Sequence, residues 1–156
     1  MRRKSVAVLF VIISFTAPAF AQSSGFGLGP TAGDPMGLSA KYWLDDQIAV
    51  DAVIGWAMGD HDSVQLHGDY LYHLRSALPG GMASTKPYVG IGPRLTFSDE
   101  EHEEDTTFGL RFPIGLSIPL KRDPLEIFAE IAPGMDLAPD AEFELEWGVG
   151  FRFYFE

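Results

Sequence analysis

Three groups of residues in this 156-residue chain carry side chains able to do chemistry. His61 and Ser63 stand two apart in His-Asp-Ser, the residue types that a general base and a nucleophile require. Asp99, Glu100, Glu101, Glu103, Glu104 and Asp105 crowd hard oxygen ligands into one short run. The third group is dispersed: the bases Lys41, Arg94, Arg111 and Arg152, and the acids Asp51, Asp69, Glu126, Glu130, Asp136, Glu144 and Glu146. The acidic run lacks the spaced Asp/Asn and Gly of a dedicated calcium loop, so it reads as a solvated loop that gathers divalent cations loosely, with no resident cofactor. His67 and His73 fall on one strand face about 20 Å apart, too far to share a metal, and His67 with Asp69 reads as a structural pair.

The dispersed charges make sense once the strands that carry them are laid out. Residues alternate between bulky and small or polar through eight stretches: 25–32, Met36–Leu44, Gln47–Met58, Ser63–Leu74, Pro87–Phe97, Thr107–Leu120, Leu125–Leu137 and Phe143–Phe155. Between them lie the turn signals Gly33-Asp34-Pro35, Asp45-Asp46, Gly59-Asp60, Lys121-Arg122-Asp123-Pro124 and Ala138-Pro139-Asp140, a longer connection from Arg75 to Lys86, and the acidic run from Ser98 to Thr106. An even strand count lets an antiparallel sheet close on itself with both termini at one end. The expected fold is all-β, an eight-stranded up-and-down antiparallel barrel.

Alternation does not say which face points inward, but volume does. The interior of an eight-stranded barrel is only just wide enough for side chains to fill it. One face of these strands carries Phe, Leu, Ile, Met, Val, Tyr and Trp almost throughout, with no Asp, Glu, Lys, Arg or His. The other collects the glycines and the dispersed charges. The bulky face therefore points outward and the charges point into the lumen. A single lipid-facing Lys or Arg near mid-membrane costs about 2 to 4 kcal/mol, so an uncharged exterior is what lipid demands. A soluble barrel with the bulky face inside is the competing arrangement.

The chain opens Met-Arg-Arg-Lys, runs apolar from Val6 to Phe15 and reaches Ala19-Phe20-Ala21. That pattern predicts a secretory leader over 1–21, leaving 22–156 as one domain. There is no cysteine, so neither disulfides nor thiolate chemistry enters. The formal charge of −11 becomes more negative when the basic leader leaves, which excludes nucleic acid as a partner.

The last strand, Phe143 to Phe155, ends Glu146-Trp147-Gly148-Val149-Gly150-Phe151-Arg152-Phe153-Tyr154-Phe155. Glu146, Gly148, Phe151, Phe153 and Phe155 resemble the C-terminal recognition signal of bacterial outer-membrane barrels. With the leader and eight alternating strands, the chain resembles the OmpA/OmpX type of small outer-membrane β-barrel. That resemblance implies an integral outer-membrane protein in contact with outer-membrane lipid. It is delivered by the barrel-assembly machinery, is expected to be a monomer, and has its termini in the periplasm. The extracellular partner is left undefined. The outer connections then hold Asp34, Asp60, Asp62, the acidic run, Asp140 and Glu142, an acidic rim without a base.

The expected role is non-enzymatic, structural or surface-interacting, with the lumen plugged by paired charges. A hairpin folded near Asp140 would set Arg152 opposite Phe128 and diagonal to Glu126 and Glu130. Arg94 and Arg111 would face one another and need Asp136, Glu144 or Glu146 between them. Two alternatives accompany this reading. One is a lipid-modifying enzyme using His61 and Ser63, similar to barrels of the lipid A deacylase type but with the pair placed in a turn. The other is a narrow ion channel.

Overall fold

In the computed structural model of the chain, residues 25–57, 63–75, 85–100, 103–120 and 124–155 are described. The leader expected over 1–21, His61 with Asp60 and Asp62, Glu101, and the basic pair Lys121 and Arg122 lie outside the described residues.

Nine strand elements form one antiparallel sheet closed into a ring. They are β1 (Phe26–Asp34), β2 (Met36–Trp43), β3 (Ile48–Ala57), β4 (Ser63–His73), β5 (Lys86–Glu100), β6 (Glu103–Arg111), β7 (Ile114–Pro119), β8 (Leu125–Ala138) and β9 (Glu142–Phe155). Neighbours in sequence are neighbours in the ring, β6 and β7 share one position between β5 and β8, and β1 closes on β9. The circuit is therefore an eight-stranded up-and-down barrel. Closure matters energetically, because it pairs backbone N–H and C=O groups within the sheet and leaves no strand edge over.

The faces are as the volume argument requires. Leu38, Ile54, Trp56, Leu66, Tyr70, Ile91, Phe112, Ile131, Trp147 and Phe153 all stand exposed on the outside. Arg94, Arg111, Arg152, Tyr88 and Lys41 are among the most completely buried large side chains. This inverts a soluble domain, where long charged chains are almost never fully buried.

Three features depart from the sequence expectation. The acidic run is not a loop: β5 continues to Glu100 and β6 starts at Glu103, with Phe97 opposite Thr106, Ser98 opposite Asp105 and Asp99 opposite Glu104. A hairpin already in register extends most easily by adding the next pair, and Thr106 and Thr107 favour the pleat. The stretch expected as one strand from Thr107 to Leu120 is broken at Phe112-Pro113, because proline has no N–H for the ladder. The break is bridged by Phe112 N–H donating to Pro133 O (2.9 Å) and Gly90 N–H donating to Pro113 O (2.8 Å). Finally, the β8–β9 hairpin is shifted by two residues, so that Arg152 lies opposite Glu126 and Phe128 opposite Gly150. A two-residue shift preserves the faces and changes every partner.

The two ends of the barrel differ. At the end holding the termini the strands finish nearly level. At the far end β1 stops where Asp34 meets Trp147, while β9 runs on to Glu142 beside β8. The five residues left over reach about 16 Å higher. Beyond them β5 and β6 pair on past Phe108, the last β6 residue opposite β8. The rim thus climbs from a low β1–β2 hairpin to a tall acidic β5–β6 hairpin. The low corner needs glycine: Gly33 has φ +150° and lies against the backbone of Trp147 and Gly148.

Candidate functional site

Among the described residues, the lumen gathers the largest set of chemistry-bearing groups, and alternation is what aims them there. Each inward position is two residues from the next, so glycines and small side chains on β1, β7 and part of β9 leave space that longer chains from β2, β3, β4, β5, β6, β8 and the rest of β9 fill.

Near the termini the arrangement centres on Glu126. Lys41 Nζ lies 3.1 and 3.3 Å from its two oxygens. Arg152 Nη1 donates to Oε1 at 3.1 Å, and Tyr154 Oη donates to Oε2 at 3.0 Å. Arg152 also reaches Asp51 Oδ2 (3.1 Å) and Ser39 Oγ (2.8 Å), with its guanidinium 3.8 Å from the centre of the Phe128 ring. Aromatic rings close this end. Lys41 Nζ lies 4.2 Å from the centre of the Trp43 ring, which packs on His73 at 4.2 Å, and His73 meets Tyr88 at 5.1 Å. Trp43 Nε1 donates to Tyr154 Oη at 3.1 Å. Glu126 thus accepts from three donors, the saturation that a buried carboxylate requires.

The far half is built around two arginines. Arg111 donates to Asp69 Oδ2 and to Glu130 Oε1, both at 2.7 Å, and its Nε lies 3.1 Å from Glu146 Oε2 without hydrogen-bond alignment. Arg94 donates to Asp136 and, at 2.5 Å, to Glu146 Oε1, and lies 2.9 Å from the half-exposed Glu144. Tyr88 links the halves by donating to Glu130 Oε2 at 2.7 Å. Asp51 and Asp69 stand directly opposite each other on β3 and β4, an unfavourable like-charge pair. Arg152 takes one and Arg111 the other, which removes the conflict.

Set against the expected positions, Arg152 meets Glu126 but not Glu130, whose guanidinium partner is Arg111. Arg94 and Arg111 are offset by two residues across β5 and β6 and share Glu146. His67 and Asp69 both face inward without a hydrogen bond between them. Ser63 begins β4 across from Ala57 and Ser98. Asp105 is exposed, while Asp99, Glu100, Glu103 and Glu104 lie in the hairpin backbone. Gly148 packs beside Gly33, and Phe151, Phe153 and Phe155 point outward, with Phe151 edge-on to Phe153 at 6.1 Å. Trp43, Ser39, Gln65, Tyr88 and Tyr154 belong to the network although no charge flags them. Their signal was position on the small-residue face.

A closed ring of eight strands with a charged interior and an apolar exterior defines the fold of small transmembrane β-barrels. Two solved structures share this fold. The chain is similar to the N-terminal β-barrel domain of Pseudomonas aeruginosa OprF, with a TM-score of 0.62 at 18% identity over 85% of this chain and 98% of that one. It is also similar to Neisserial surface protein A (NspA), with a TM-score of 0.50 at 15% identity over 85% of this chain and 94% of that one. No family model and no curated protein matches the sequence. At these identities the likeness is one of fold.

Proposed function

We propose that this protein is a non-enzymatic integral barrel of the bacterial outer membrane, with its lumen plugged and its tall acidic rim turned to the outside. The observation that carries the reading is the inversion of the faces: an uncharged apolar exterior around an interior of partnered charges. Lipid accepts the first and would reject the second. The plug follows from packing, since Lys41, Trp43, Tyr88 and Phe128 fill the cross-section near the termini.

On this reading the leader is removed after Ala21 and the last strand presents Glu146, Gly148, Phe151, Phe153 and Phe155 to the assembly machinery. The monomer then sits among lipids whose anionic head groups share loosely held divalent cations with the rim. The fold likeness to two barrel structures supports a membrane role over a soluble one.

Two measurements on mature protein refolded in detergent test this. Gel mobility should shift on boiling, as a detergent-stable barrel requires. In planar bilayers the unmodified protein should pass no steady current. Solubility in plain buffer without a mobility shift would refute the membrane assignment, and a steady conductance would refute the plug.

A further inference from the structure

We propose that the far half of the lumen contains a binding site for one divalent ion of the zinc class, formed by His67, Asp69 and Glu130. One donor atom from each of these residues lies within 4.8 Å of the other two. Two of the three residues are nearly inaccessible, His67 at 5% and Asp69 at 3% exposure. His67 Nε2 and Asp69 Oδ1 have no hydrogen-bond partner, although buried polar atoms are otherwise paired as a rule. Orphans on two members of a three-residue cluster point to a shared missing partner.

Charge points the same way. Among the described residues, the acids lodged inside are Asp51, Asp69, Glu126, Glu130, Asp136 and Glu146, against Lys41, Arg94, Arg111 and Arg152. Six against four leaves two negative charges, which one divalent cation balances. There is also room. His67 and Glu130, with Arg111 and Arg152, line a cavity of about 20 Å³ that also touches Asp34 and Pro35 of the low β1–β2 hairpin. That is about the space of one water-sized group.

The donor set selects the ion. One imidazole with two carboxylates and no thiolate suits zinc or its first-row neighbours, whereas calcium and magnesium prefer oxygen alone. Arg111 holds Asp69 Oδ2 and Glu130 Oε1, and a carboxylate has about four lone-pair sites, so acceptor capacity is left for the metal. Arg111 is then a positioning residue that orients two ligands. Binding draws the donors to about 3.4 Å apart, the spacing of a tetrahedral ion with bonds of about 2.1 Å. An imidazole ligating through Nε2 carries its proton on Nδ1, so the 3.4 Å contact of Gln65 Nε2 with His67 Nδ1 gives way while Gln65 keeps its 2.5 Å hydrogen bond to Glu146 Oε1.

The test uses untagged mature protein refolded in detergent, stripped with a chelator, loaded with zinc and dialysed into metal-free buffer. One zinc per chain should remain, and cobalt in its place should give the visible absorption of a four-coordinate nitrogen–oxygen site. His67→Ala should weaken retention more than about tenfold and abolish the cobalt band. Glu103→Gln with Glu104→Gln and Asp105→Asn, on the acidic hairpin, should change neither. The boiling-dependent gel shift establishes that each variant is folded, and the near-isosteric Asp69→Asn serves if His67→Ala is not. No retained zinc in the unmodified barrel, retention unaffected by His67→Ala, or retention lost with the hairpin variant would each overturn the proposal.

Discussion

Near the termini, Lys41, Glu126, Arg152 and Tyr154 are locked together and capped by Trp43, His73 and Tyr88. Toward the far rim, Arg94 and Arg111 share five carboxylates, and Gln65 and His67 pack among them. The half near the termini leaves Asp51 Oδ1 and Ser117 Oγ without partners. The far half leaves His67 Nε2, Asp69 Oδ1, Glu146 Oε2 and both arginine Nε atoms. Rings exclude water and hold polar partners in one geometry, whereas carboxylates traded between two guanidiniums leave valences open. On the reading proposed above, the first half is the seal and the second the half with capacity for a ligand.

The contrast can be broken most forcefully at Arg152. Replacing it with alanine takes the guanidinium from Asp51 and leaves Glu126 with Lys41 and Tyr154 alone, and loss of one partner from a buried pair costs about 3 to 5 kcal/mol. Urea unfolding of the refolded barrel should register that loss. Arg94→Ala should cost less, about 1 to 3 kcal/mol, because Glu144 is half exposed and can be hydrated and Glu146 keeps Gln65 and Arg111, so that Asp136 alone loses its partner. A larger loss at Arg94 than at Arg152 would reverse the assignment of the two halves.

Conductance separates them by another route. Trp43→Ala with Tyr88→Ala should admit a measurable current in planar bilayers, and Arg94→Ala should admit less. If Arg94→Ala alone opens the barrel, the constriction is at the rim and not among the rings.

Glycines give the smallest effect and the finest comparison. At Gly115 an added methyl meets the Tyr88 ring and, at 2.7 Å, Ala129 O, so Gly115→Ala should destabilise by about 1 to 3 kcal/mol. At Gly134 the nearest atoms are Leu110 O at 3.1 Å and Arg94 Nη1 at 3.6 Å, and Gly134→Ala should stay within about 0.5 kcal/mol. Equal midpoints in urea would mean that the two halves are packed alike.

Strand number, faces and the inward set of charges were legible in the sequence because alternation has a fixed period, and one face of it held no Asp, Glu, Lys, Arg or His. Pairing was not legible, because it depends on register, and register depends on how many residues each turn consumes. The Ala138-Pro139-Asp140 turn centres on Pro139, and that one-residue difference in centre moves Arg152 from Phe128 to Glu126. Composition also misled at the acidic run, where Asp and Glu read as loop although the β5–β6 register carries them onward as strand. The unpartnered nitrogen of His67 lay further out of reach. Spacing on β4 put it near Asp69, but only closure of the ring brings Glu130 from β8 alongside.

The ion pairs and hydrogen bonds of the half near the termini join early strands to late ones. Lys41 and Glu126 are 85 positions apart, Asp51 and Arg152 are 101, and Ser39 and Arg152 are 113. Until β9 arrives beside β1, Lys41 and Asp51 have only each other across β2 and β3, and the sheet keeps an open edge, which a bilayer does not tolerate. On the membrane reading proposed above, partial assembly has no resting place in the bilayer. Folding, insertion and closure have to coincide, and a chain lacking its last strand should yield no inserted barrel at all, not a smaller one.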